Sequence, residues 1–171
     1  MMGTDPRFLE VQRYRQWWLL VLLAGIFLPS AWAVIQQVIL GVPWGNNPAS
    51  DGWVLLIAGV SGLGLPLFIL SLNLRTEVRP DGVYVRFWPL HLGWVHIPSD
   101  QIAECTAQTY RPLRDYGGWG IRWGPKGKAY NVSGNRGVLL VYGKGRRLLI
   151  GSQRPEELQQ AIATIRGPAL P

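Results

Sequence analysis

Residues 17–40 read WWLLVLLAGIFLPSAWAVIQQVIL and residues 53–74 read WVLLIAGVSGLGLPLFILSLNL; neither run holds an Asp, Glu, Lys or Arg. At about 1.5 Å of rise per residue, a helix over either run covers the roughly 30 Å hydrocarbon core of a bilayer. A buried helix of a water-soluble protein seldom runs so far without an ionised group. The two runs are therefore expected to be transmembrane helices, closed into a hairpin by the short Gly-, Pro- and Asn-rich loop 41–52. Trp17 and Trp18 at one end, with Trp44 and Trp53 at the other, suit the aromatic belts of the two interfaces. Pro29 and Pro66 predict kinks, and Ala24, Gly25, Ala58, Gly59, Gly62 and Gly64 offer small surfaces for close helix contact. Gln36 and Gln37 fall near the far end of the first run, where water is close.

Arg7, Arg13 and Arg15 precede the first run, Arg75 and Arg79 follow the second, and loop 41–52 has no Lys or Arg. The positive-inside rule then places both termini in the cytoplasm of a multi-pass plasma-membrane protein. Ala31-Trp32-Ala33 has the form of a signal-peptidase site. Against cleavage there, Asp5 and Glu10 lie in the leader and the apolar run continues beyond the site. In the segment 1–16, cytoplasmic or interfacial, Asp5 followed by Pro6 reads as a helix start. Phe8, Leu9, Val11, Tyr14 and Trp17 would give that helix an apolar side.

Beyond the second run the composition changes. Residues 75–171 hold fourteen Lys/Arg against seven Asp/Glu, an excess equal to the formal +7 of the whole 171-residue chain. A basic domain behind a membrane hairpin suggests attraction to anionic lipid headgroups or to an acidic protein partner, although the same charge also serves solubility. Short β-prone runs alternate here with turn signals. Arg79-Pro80-Asp81-Gly82 is a turn, and in 83–88 Val83, Val85 and Phe87 share one face opposite Tyr84, Arg86 and Trp88. Further strands are predicted over 94–97, 102–110, 120–123, 128–133, 138–142 and 147–150. Gly134-Asn135 and Gly143-Lys144-Gly145 read as hairpin turns between the later strands. The spacing leaves no room for helical crossovers, so the sheet is expected to be antiparallel throughout.

One helix closes the chain. Pro155 suits its first turn, Glu156 and Glu157 complement its positive end, and Leu158, Ala161, Ile162 and Ile165 form one apolar stripe. Arg166 and Gly167 suit its end, and Pro168 stops it. The expected architecture is a membrane α-hairpin plus a mainly-β domain over 75–171. In that domain an antiparallel, pleckstrin-homology-like (PH-like) curved sheet of seven to eight strands is plugged by one C-terminal amphipathic helix.

The chain also resembles an uncharacterised family of small bacterial membrane proteins that carry a PH-like domain behind a two-helix hairpin. The resemblance rests on FLEVQRYRQWW at 8–18, YRPLRDYGGWGIR at 110–122, KAYNVSGN at 128–135 and LIGS at 149–152. It implies architecture and membrane location, and no activity.

Within 110–122 the residues that invite a ligand are Arg111, Arg114 and Arg122, one carboxylate (Asp115), and the aromatics Tyr110, Tyr116 and Trp119. Guanidiniums grip phosphate or carboxylate bidentately, aromatics stack, and Gly117-Gly118 lets backbone approach closely. The plain structural reading of the same segment is a Gly-Gly bend with Trp119 packed on the core. A second, distributed candidate is the set of basic residues at turn tips, Lys126 and Lys128 with Lys144, Arg146 and Arg147, which would face lipid. Such tips are also commonly basic because they are solvated.

Other chemistries find little support. Cys105 is the sole cysteine, so no intrachain disulfide forms, and its strand setting suggests a packed small hydrophobe. Two histidines, His91 and His96, with one cysteine make no zinc set, so neither metal nor cofactor is expected. His91 reads as a turn residue and His96 as part of a strand face. The phosphate-binding Gly-x-x-x-x-Gly-Lys-Ser/Thr pattern fails at Val138, and neither Gly-x-Ser-x-Gly nor His-Glu-x-x-His occurs. Basic residues scattered over turns argue against nucleic acid. Two function classes stay open: a membrane-anchored binding or scaffold module, or an enzyme or assembly component using the 110–122 loop on a membrane-associated substrate. The lack of a spaced acid–base pair favours the first.

Overall fold

The computed structural model describes residues 6–166. Asp5, Gly167 and Pro168, read above as helix signals, lie outside them. The chain divides into two compact units, Tyr14–Ser71 and the remainder.

The first unit is built from two apolar helices. Helix α1, Trp17–Ala33, continues through a wider π-wound segment, Val34–Ile39. Helix α2, Asp51–Ile57, passes through a second π segment, Ala58–Gly64, into α3, Leu65–Ser71. The two continuous stretches, Trp17–Ile39 and Asp51–Ser71, are each long and apolar enough to cross a membrane. The second π segment ends at Gly64, two residues ahead of Pro66, whose ring would clash with the carbonyl four residues back in a regular α-helix. Around Pro29, the Ser30 hydroxyl donates to Ile26 O at 2.8 Å. Gln37 does not face water as its position suggested. It is buried, donating to Ala49 O at 2.6 Å and Asp51 Oδ1 at 2.9 Å, and so ties the connecting loop to the first helix.

The second unit begins with a correction. The N-terminal segment is not a helix: Phe8–Arg13 forms strand β1. Its alternation puts Phe8, Glu10 and Gln12 inside and Leu9, Val11 and Arg13 outside. Two of the three inward positions are polar and two of the three outward ones apolar, so hydrophobicity alone points to the wrong face. β1 pairs with β2 (Asn73–Arg79), which pairs with β3 (Gly82–Trp88) through the Arg79–Gly82 turn, and β3 pairs with β4 (Val95–Pro98). These four antiparallel strands make one sheet.

Five further strands make another: β5 (Ile102–Thr109), β6 (Gly120–Gly124), β7 (Gly127–Asn131), β8 (Arg136–Tyr142) and β9 (Arg146–Gly151), in the order β5-β8-β9-β7-β6. The described residues therefore form nine strands in two sheets, without a closed barrel, and the expectation of one antiparallel sheet is replaced. The pairing is not antiparallel throughout either. β7 and β9 run parallel, with Lys128 opposite Leu148 and Tyr130 opposite Ile150. Gly134-Asn135 is consequently no hairpin, because β9 lies between the strands it connects, whereas the Gly143–Gly145 turn does join the paired β8 and β9.

The short helix α4 (Pro112–Tyr116) follows β5, and the closing helix α5 (Pro155–Ile165) packs against β5 and β8 of one sheet and β1, β2 and β3 of the other. Its stripe of Leu158, Ile162 and Ile165 is buried with Val83, Val85, Phe87, Val138, Leu140 and Ile150. The Gln159 side chain also accepts a hydrogen bond from Ala107 N at 2.8 Å. One helix thus closes the interior between two sheets.

Candidate functional site

Arg111 enters α4 from an extended conformation, and Pro112, which has no N–H to lose, starts the helix. Gly117, at φ +75°, ends it, with its own N–H donating to Leu113 O and that of Gly118 to Pro112 O. The helix is held against the β6–β7 hairpin at Gly124, where a Cβ would lie 2.3 Å from Asp115 O. Between helix and hairpin opens a cleft of about 560 Å³ lined by Thr109, Tyr110, Arg111, Arg114, Asp115, Pro125 and Lys126.

Asp115 organises the cleft. Its carboxylate accepts from Arg111 N at 3.0 Å and pairs with Lys126 Nζ at 3.1 Å. The Arg111 N–H foremost, then Lys126, holds this carboxyl below the usual range. It is thereby an anion already engaged and a poor proton acceptor. The side chains of Arg111 and Arg114 are exposed and form no ion pair among the described residues. The cleft therefore offers two free guanidiniums beside a neutralised Lys–Asp pair.

Not every residue singled out in 110–122 enters it. Tyr116 is 1% exposed and packs edge-on against Tyr110, with ring centroids 5.8 Å apart. Trp119 is half-buried and its indole N–H donates to Gly134 O at 3.0 Å. Arg122 turns back on its own loop and donates from Nε to Trp119 O at 2.8 Å. Arg111, Arg114 and Asp115 come together; Tyr116, Trp119 and Arg122 shape the segment that carries them.

The basic turn residues fall into place through the parallel pairing. Because β7 and β9 run side by side in one direction, the turns that lead into them lie at the same end of the sheet. Gly127, between Lys126 and Lys128, lies against Arg147, and alternation along β9 puts Arg146 and Arg147 on opposite faces of the sheet, so these basic residues share a sheet end but not one face. Lys126 belongs to the cleft as well. The Lys128 ammonium sits 4.7 Å from the ring centroids of both Trp123 and Tyr130, and Trp123 is 75% exposed.

On the outside of the four-stranded sheet two further guanidiniums share one carboxylate. Arg75 and Arg79 both clasp the buried Glu77, at 2.7 and 2.6 Å, and Arg79 lies over the Tyr84 ring. Tyr84 donates its hydroxyl to Asp81 and stacks on His96 at 4.3 Å. Cys105 is half-buried, and burial pushes its thiol up, away from the nucleophilic thiolate.

Hydropathy did not single out a second set of residues, the buried polar ones. Glu10 accepts from Ser152 Oγ at 2.5 Å and Gln153 N at 2.8 Å, and Gln12 donates to Gly151 O at 2.7 Å. Asn131 accepts from Gly120 N at 2.9 Å and donates to Tyr110 Oη at 3.0 Å. The signal available was the Leu9-Glu10-Val11-Gln12 alternation, whose polar members are the buried ones.

A family model described as "Family of unknown function (DUF6141)" matches residues 3–167. The chain belongs to this family. No curated protein and no solved structure matches it. Inside the DUF6141 match, segments 110–122 and 128–135 are bonded to each other through Asn131 and Trp119, and the start of 8–18 is bonded to 149–152 through Glu10 and Gln12. The DUF6141 segments that stand out in the sequence thus include the internal fastenings of the strand-rich unit, and the cleft is mounted on one of them.

Proposed function

We propose that this chain is a membrane-tethered, non-catalytic binding module whose PH-like unit takes the phosphate of an anionic lipid headgroup. The observation that carries the reading is the cleft, with Arg111 and Arg114 unpaired beside Lys126, at the sheet end where the parallel β7–β9 pairing gathers Lys128, Lys144, Arg146 and Arg147. Guanidiniums bind phosphate oxygens in pairs, and each basic residue near an anionic surface adds about 1 kcal/mol of attraction. Asp115, held as an engaged anion, suits a site that orients cations better than one that moves protons.

The tether is the pair of apolar helices. Only 17% and 6% of their most apolar windows are buried, far too little for core helices of a soluble protein. With Arg7, Arg13 and Arg15 before them, Arg75 and Arg79 after them and no cation in the loop between, both termini are cytoplasmic. An exported reporter fused to the C-terminus would contradict that topology. The closing amphipathic helix packed against both sheets is what favours the PH-like comparison, and the parallel β7–β9 pair departs from it.

The test of function is the melting temperature of the full chain in neutral detergent during titration with short-chain phosphatidylglycerol, short-chain phosphatidylcholine or inorganic phosphate. A ligand at a hundredfold its dissociation constant stabilises by about 2.7 kcal/mol. Stabilisation by the anionic lipid alone supports the reading. Stabilisation by inorganic phosphate to the same extent moves the ligand to a free phosphate, and equal response to both lipids contradicts a headgroup site.

A further inference from the structure

Three of the exposed large apolar side chains of the strand-rich unit lie together in sequence: Trp88 is 42% exposed, Leu90 52% and Leu92 81%. Trp88 ends β3, and Leu90 and Leu92 belong to the connection to β4, residues 89–94. This connection is held in one shape. The His91 N–H donates to Phe87 O at 2.7 Å, and Arg86 Nε donates to His91 O at 3.3 Å. The His91 ring meets Tyr130 edge-on with centroids 5.2 Å apart. Tucking His91 inward turns its two leucine neighbours outward. A fixed loop that presents leucines to water is a surface awaiting a partner.

Asn73 is opposite Arg13 on one side and Trp88 on the other. The chain leaves this unit after Arg13 and returns to it at Leu72, so the exposed loop springs from the end of the sheet that carries both passages. Residues 82–99 contain no Asp or Glu, and Arg86 lies 4.7 Å over the Trp88 ring. Apolar tips, a tryptophan and a single arginine with no carboxylate in the same segment are the make-up of a segment that enters the headgroup–acyl boundary. We propose that the β3–β4 loop inserts Leu90 and Leu92 into the lipid surface, with Trp88 at the level of the headgroups. This rests on the membrane anchorage of the proposed function and is independent of the cleft.

The test uses the full chain with Cys105→Ser and a single environment-sensitive fluorophore on Leu92→Cys or, at the exposed far end of the sheet, on Asp100→Cys. Each protein is reconstituted alone into vesicles of phosphatidylcholine and phosphatidylglycerol, with and without nitroxide-labelled phospholipid, and floated on a density gradient. The expected result is a blue-shifted Leu92 label that loses most of its emission to the nitroxide lipid while the Asp100 label keeps its own. A chain that floats but whose Leu92 label stays unquenched overturns the insertion and leaves the anchorage standing, including the case of a label shielded by a second copy. A chain that does not float overturns both.

Discussion

Glu10 and Ser152, 142 residues apart in the chain, meet in the interior of the strand-rich unit, where the serine hydroxyl donates to the carboxylate at 2.5 Å. The same carboxylate receives Gln153 N, and Ser152 Oγ in turn receives Arg154 N at 3.0 Å. Arg154 reaches back to Leu9 O and lies 4.9 Å over the Phe8 ring. The strand that precedes the first apolar helix is thereby latched to the turn that precedes the closing helix. Glu10→Ala takes the acceptor from the buried Ser152 hydroxyl and the part-buried Gln153 N–H and is expected to cost about 1–3 kcal/mol. In a double-mutant cycle with Ser152→Ala, followed by thermal denaturation, the two losses should overlap by about 0.5–3 kcal/mol. Strict additivity would mean that the contact contributes nothing.

Gly124→Ala is expected to damage the cleft from behind. The new Cβ would meet Asp115 O at 2.3 Å and Tyr116 Cα at 2.9 Å, both backbone atoms, so α4 has to move off the hairpin. Overpacking of this kind costs about 1–3 kcal/mol. Lipid titration beside the melting curve should show weakened binding together with reduced stability; unchanged values of both would contradict the packing described.

His91 makes the loop it anchors sensitive to acid. Burial foremost, then the Lys128 ammonium, holds its imidazole below the ordinary 6.5. The unfolded chain therefore takes up this proton at a higher pH than the folded one. The group's contribution to stability is complete above about pH 6.5 and is lost as the pH falls from there through the lower folded value. Melting temperatures measured from pH 7.5 down to about pH 5 should decline, and His91→Phe, which keeps a ring against Tyr130, should flatten the decline. An undiminished slope in the variant would assign it elsewhere.

The long-range architecture was legible where one physical signal dominated. Two charge-free runs identify the apolar helices, the Val83, Val85, Phe87 alternation marks β3, and Leu158, Ile162 and Ile165 mark the buried side of α5. β1 was missed because Glu10 and Gln12 are buried by hydrogen bonds and not by hydrophobicity, which leaves Leu9 and Val11 outside to imitate a helical stripe. The parallel β7–β9 pair was missed because turn residues report where a chain bends, not which strand it bends beside. In the cleft, residue type was enough to nominate Arg111, Arg114 and Asp115, but it could not separate them from Arg122. That distinction depends on a hydrogen bond to Trp119 O, three residues away.

That separation gives the most direct measurement: the affinity of the full chain for short-chain phosphatidylglycerol in the wild type and in Arg111→Ala, Arg114→Ala and Arg122→Ala, with a melting temperature for each. An exposed charge contributes about 0–1 kcal/mol to folding, whereas a hydrogen bond to a charged group contributes about 1.5–3 kcal/mol. A headgroup site in the cleft predicts roughly tenfold or greater loss of affinity in Arg111→Ala and Arg114→Ala, with melting temperatures close to wild type and Arg122→Ala binding as the wild type does. Undiminished affinity in the first two variants, or a loss confined to Arg122→Ala, would contradict it.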